Sequence, residues 1–115
     1  MNLSPLMLGL ISIFAGHFII WYQTNGQFIN QWVQDHPWIT SLMGIPASFL
    51  FIISTKYLAD NFDGDIWPGR LIGFAIGIII FTFLTKFHLN ETITIKTSTT
   101  LVLATIIVLI QVFWK

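Results

Sequence analysis

Apolar residues along this 115-residue chain gather into four long runs, 3–22, 39–55, 71–85 and 97–114, none of which contains Asp, Glu, Lys or Arg. A helix that crosses a bilayer needs about 20 mostly apolar residues. The first and fourth runs meet that length directly. The second and third meet it once the interfacial Trp38, Tyr57 and Trp67 and the snorkelling Lys56 and Lys86 are included. The pattern predicts an all-α integral membrane protein: four transmembrane helices at about 3–22, 38–57, 67–87 and 95–114, packed as a bundle in a single membrane domain. The indoles agree with these ends, because Trp21, Trp32, Trp38, Trp67 and Trp114 all fall at or outside them, where amphipathic rings prefer to lie.

Composition narrows the class further. Only 9% of residues are charged while 55% are hydrophobic, against roughly a quarter charged in an ordinary soluble domain. Five basic residues balance five acidic ones, so there is no basic footprint for nucleic acid. The absence of cysteine removes disulfides and thiolate metal sites. The partner that composition does imply is the lipid bilayer. No Lys or Arg precedes the first apolar run, which therefore reads as a retained helix rather than a cleaved signal peptide. With four spans, Lys56, Arg70 and Lys115 share one side and Lys86 and Lys96 the other. That difference of one charge favours both termini inside, in an inner or plasma membrane, and is small enough for dual orientation.

Between the spans, local signals predict the connections. Pro5 suits a first helical turn, and Asn25-Gly26 signals a turn after the first span. In 23–37, Phe28, Ile29, Trp32 and Val33 recur at helical spacing opposite Asn30, Gln31 and Gln34. This pattern is compatible with a short amphipathic helix in the interface or with an aromatic-rich loop. Pro46 should kink the second span around Met43–Ile45, with Ser41 and Ser48 near enough to satisfy the freed carbonyl. The acidic loop 59–65 lacks the alternating pattern and closing glutamate of a calcium loop, and reads as a turn with solvated carboxylates. Asn90 is expected to N-cap the last helix, with Glu91 in its first turn.

Each span also carries small or weakly polar residues at three-and-four spacing. They are Pro5, Gly9, Ser12, Gly16 and Gln23 in the first, and Ser41, Gly44, Ser48 and Thr55 in the second. Gly69, Gly73 and Gly77 form a doubled G-x-x-x-G in the third, and Thr97, Thr100, Ala104 and Gln111 follow in the fourth. In lipid, helices associate through close backbone contact and inter-helix hydrogen bonds, which small residues permit. The stripes thus predict packing seams. The glycine ridge could also face a second copy, and a homodimer is expected because four short helices enclose little volume. His17 is the ionisable side chain inside a predicted span, about five residues from its end. It is a candidate for proton exchange or substrate contact, or else a neutral hydrogen-bonded histidine near the headgroups. Gln111 is a second substrate or proton candidate, with hydrogen bonding across an interface as its alternative. No nucleophile–base pair, metal-ligand cluster, phosphate loop or paired carboxylates assembles in the sequence, so neither an enzyme nor a cofactor or metal is expected.

The run I-W-P-G-R-L-I-G-F-A-I-G-I-I-I-F from Ile66, followed by L-N-E-T-I-T-I-K-T-S-T-T-L-V-L-A-T-I-I-V-L-I-Q to Gln111, resembles the small multidrug resistance group of the drug/metabolite transporter superfamily. The resemblance implies a dimer that exposes a shared central site by alternating access. The family's membrane-embedded glutamate in helix one has no counterpart here, and its role is not carried onto His17. The Ile/Asn-rich chain is also similar, more distantly, to small membrane proteins of tailed phages. Two functions follow as expectations: a dimeric, transporter-like protein for a small-molecule substrate, or a non-catalytic membrane component such as a holin-like pore former or an accessory subunit.

Overall fold

A computed structural model describes residues 3–114. Its order is α1 (Pro5–Asn25), a 3-10 turn (Gly26–Phe28), α2 (Gln31–Asp35), α3 (Pro37–Ser41), α4 (Gly44–Asn61), α5 (Trp67–Leu89) and α6 (Ile95–Phe113). Four helical segments, Pro5–Phe28, Pro37–Asn61, Trp67–Leu89 and Ile95–Phe113, are long and apolar enough to cross a membrane. At 1.5 Å per residue the 23 residues of α5 extend about 35 Å, enough for a hydrocarbon core of about 30 Å.

Helix ends follow local chemistry. Ser4 caps α1 by accepting from the Met7 amide, and Pro5 occupies the first turn where its missing N–H costs nothing. The Asn25-Gly26 signal does not end in a tight turn: Gly26 has φ −58°, and the chain passes from α1 into the 3-10 turn. Asn30 then caps α2 through its side-chain oxygen, which accepts from the Trp32 and Val33 amides. The segment 23–37 is thus the end of α1 plus a five-residue helix, with Phe28, Ile29 and Trp32 exposed.

Two expectations about helix ends are corrected. Asn90 does not begin α6. It ends α5 in the left-handed conformation, φ 57°, which Asn tolerates better than most residues. Thr94 provides the cap of α6 instead, accepting from the Thr97 amide, and Glu91 lies in the linker before it. Pro46 does more than kink its span: the helix is interrupted at Leu42–Met43, between α3 and α4. The Leu42 carbonyl is the acceptor that residue 46 would have used, and the Ile45 amide takes it at 3.2 Å. Neither Ser41 nor Ser48 compensates, since Ser41 donates to the Pro37 carbonyl and Ser48 is exposed.

The bundle is built on α1, which packs against α4 on one side and α5 on the other, while α6 packs principally on α5. Contacts fix the directions. Gly9 meets Leu58 and Gly16 meets Phe51, so α1 and α4 run antiparallel. Ile13 meets Gly73, His17 meets Gly77 and Trp21 meets Thr85, so α1 and α5 run parallel. The order is that of an up-down-up-down bundle.

The bundle buries small residues in its seams, Gly9 and Gly16 on α1, Ala47 on α4, Gly73 and Ala75 on α5 and Ala104 on α6, around a few large ones, Ile13, Trp21, Leu58, Ile72, Ile80 and Leu84. What it exposes is large and apolar, including mid-helix Phe49, Ile52, Phe74, Phe83 and Val102. Water would penalise such a surface, whereas lipid does not, and small seams are how helices pack in lipid. The chain is a small multi-pass integral membrane protein with a four-span helical bundle.

Candidate functional site

Three rungs stack along α1, α4 and α5. At the level of the α4–α5 connection, Leu58 fills the space between Gly9 and Gly69, and a Cβ on Gly9 would come within 2.7 Å of its Cγ. One turn deeper Ile13 lies on Gly73. Deeper still, the edge of the His17 ring meets Phe51, centroids 5.1 Å apart, and the imidazole occupies the space a Cβ on Gly77 would need. The glycine ridge of α5 is therefore engaged within the chain, by Leu58, Ile13 and His17.

The structure also moves His17 relative to the sequence expectation. Because α1 continues to Asn25, His17 is about 12 Å from that end at 1.5 Å per residue, further in than the shorter predicted span placed it. Its partner Gly77 is at the axial middle of the 23-residue α5. The half-buried imidazole is thus in the central third of the bundle.

Beside these rungs, α4 and α5 leave a cleft of about 850 Å³. Its walls are mostly apolar, with Phe51, Phe74 and Phe81 among them, and its polar lining is His17, Ser54, Thr55 and Arg70. Thr55 donates to the Phe51 carbonyl at 2.8 Å. Arg70 is exposed at the end nearest the α4–α5 connection, together with Ile66 and Trp67. Asp60, Asp63 and Asp65 of the neighbouring loop are outside the lining.

Ser54 is the informative residue. It is 1% exposed, and its Oγ is the buried side-chain polar atom left without a hydrogen-bond partner among the described residues. Such a group costs about 1–3 kcal/mol. Most helical hydroxyls here avoid this cost: Ser12, Thr55 and Thr82 each donate to the carbonyl four residues earlier, the usual recourse of Ser and Thr in a helix. Ser54 does not, and it lines the cleft. Sequence spacing missed it because the expected seam of the second span was Ser41, Gly44, Ser48 and Thr55. The buried face of α4 is instead Ala47, Ser54 and Leu58, one position round the helix.

The remaining sequence candidates fall elsewhere. Gln111 is half-buried on α6, away from the cleft. Ser12 is half-buried, Gly44 lies beside the Gln23 amide, and Ala104 is buried. Thr100 is exposed and donates to the Lys96 carbonyl, so it makes no helix seam.

At the far end of the bundle, a second polar cluster ties α1 to α5. The Trp21 indole N–H donates to the buried Thr85 hydroxyl at 3.0 Å, and the Tyr22 hydroxyl lies 2.8 Å from His88 Nε2. The Trp21 and His88 rings stack with centroids 5.2 Å apart. Trp21 is thus a core residue packed with Ile80 and Leu84, not a headgroup anchor. The sequence showed an indole near a helix end but not the hydroxyl 64 positions away.

Known protein families, curated proteins and solved structures give no match to this chain.

Proposed function

We propose that this chain is a transporter-like membrane protein that takes a small, largely apolar solute into the cleft between α1, α4 and α5. The observation that carries this reading is a cleft of about 850 Å³ whose lining includes Ser54, the residue with the unpartnered buried hydroxyl. A buried donor that forgoes its own helix carbonyl gains a partner when it turns toward an incoming polar group, and the volume is within the range of about 300–1,000 Å³ usual for small-molecule sites. Two further features support it. His17 lies in the central third of the bundle, where an ionisable group is costly to keep without a use. The break at Leu42–Met43 provides a hinge about which α4 can swing relative to α5, in the way that interrupted helices serve transport.

The test is flux through liposomes containing the purified chain, measured for a panel of small apolar and amphipathic solutes. Ser54→Leu, which fills the cleft without adding charge, should abolish any flux the native chain supports. Native and Ser54→Leu proteins that both behave like empty liposomes would favour the non-catalytic alternative, an accessory subunit or a pore former that acts in another assembly.

A further inference from the structure

We propose that the solute class of this cleft is an anionic, single-chain amphiphile with a hydrogen-bond acceptor one helical turn inward from its head: the chemistry of an acyl glycerol phosphate. The inference rests on the cleft being the solute site.

The charge comes first. Arg70 is the charged side chain in the lining. It is exposed at the outer end of the cleft and forms no ion pair among the described residues. A guanidinium presents a planar fork of donors that matches a carboxylate or phosphate bidentately. Trp67 stands beside it in the first turn of α5, the kind of ring that lies at headgroup level. The outer end is therefore built for an oxyanion at the membrane surface.

The second polar contact is Ser54. The rung of Leu58 and Gly69 is level with the outer end, and that of Phe51 and Gly77 is two turns deeper. Ser54 lies between Phe51 and Leu58 on α4, its hydroxyl unpartnered and closed to solvent, so a side-chain turn toward the cleft lets it donate to an acceptor about 5 Å inward from the head at the pitch of a helix. A free fatty acid has no acceptor there, whereas the ester carbonyl of an acyl glycerol phosphate does. Beyond Ser54 the wall runs along Phe74, Ile78 and Phe81, with His17 at the Gly77 level as its polar group. From Arg70 to Phe81 the cleft extends about 16 Å at 1.5 Å per residue. Phe74 and Phe81 are themselves exposed on the outer surface of the bundle, which lets a tail enter sideways from the bilayer.

The probes are 1-oleoyl lysophosphatidate, its ether-linked analogue, oleate and monoolein, added to the detergent-purified full chain, with retained adducts quantified by native mass spectrometry. The native chain should hold lysophosphatidate most tightly. Arg70→Gln should weaken it about 10- to 100-fold, the range for a charge-assisted hydrogen bond, while monoolein binding stays within about twofold. Arg70→Lys should fall between. Ser54→Ala should weaken lysophosphatidate about 3- to 10-fold and leave the ether analogue and oleate unchanged. Thermal melting of each variant, matched to the native chain, separates lost binding from lost fold. Oleate bound as tightly as lysophosphatidate would show a carboxylate source with no acceptor at Ser54 and would overturn the assignment. So would monoolein bound as tightly as lysophosphatidate, or binding indifferent to Arg70→Gln. If those neutral or carboxylate probes are all displaced by Ser54→Leu, the cleft remains the solute site and only the assigned class fails.

Discussion

His17 and Gly77 are complementary: a Cβ on Gly77 would lie 2.6 Å from His17 Cε1 and 2.9 Å from Nδ1. Only a residue without a side chain lets the imidazole rest on α5 at this level. Gly77→Ala should therefore displace the ring and destabilise the bundle by about 1–3 kcal/mol. His17→Ala in the same chain should recover most of that loss, giving a coupling of at least about 0.5 kcal/mol. Unfolding in a fixed detergent by a two-by-two variant set checks this, and simple additivity would show that the two residues do not meet.

Gly9 is enclosed by backbone as well as side chain, because its Cβ would meet Leu58 Cγ, Cδ2 and the Leu58 backbone nitrogen at 2.7, 2.8 and 3.3 Å. A side chain can turn away but backbone cannot, so Gly9→Ala should cost more than Gly26→Ala. At Gly26 a Cβ meets only Val33 Cγ1 at 3.7 Å, and the helical φ of −58° suits alanine. There the substitution should raise stability by about 0.4–1 kcal/mol through the unfolded chain. Gly64→Ala should be unfavourable despite the open space around it, because φ is +91°. Melting temperatures of the three variants in one detergent give the order directly.

The Trp21–Thr85 bond predicts an asymmetric pair of variants. Trp21→Phe leaves the Thr85 hydroxyl buried without its donor, at about 1–3 kcal/mol, whereas Trp21→Phe combined with Thr85→Val removes both polar groups and should be milder than the single change. Denaturation of the single and double variants tests it, and a double variant weaker than Trp21→Phe would rule out the bond.

The four spans were legible because lipid imposes one rule on every residue of a span, so charge is excluded from long runs and confined to their ends. The seam of α5 was legible for a related reason: Gly69, Gly73 and Gly77 have no other use in a helix. The seam of α4 was not. Serine and alanine are both small, and choosing between Ser48 and Ala47 depends on how α4 rotates about its axis, which the partners Gly9 and Gly16 decide. Trp21 was misplaced for a similar reason, since the helix end at Asn25 and the acceptor at Thr85 are tertiary facts. The position of His17 followed the same error, as a helix three residues longer carries it inward.

Four spans place both termini on one side of the membrane. Reporters at residues 1 and 115 of separate fusions should therefore give the same signal within any one orientation, and a reporter in the 90–94 linker should give the opposite one. Termini on opposite sides would mean that one segment does not cross.

The proposed function requires that a small molecule entering the cleft reach Ser54, and the chain has no native cysteine to complicate the measurement. Ser54→Cys and Ala104→Cys replace two residues that are each 1% exposed, one in the cleft and one in the α5–α6 seam. The two positions are equally closed at rest, so a rate difference reports opening of the cleft: in membranes treated with a small, membrane-permeable thiol reagent, Cys at position 54 should react at least about tenfold faster, since thiol reactivity follows access. Equal, slow labelling at the two positions would contradict the account.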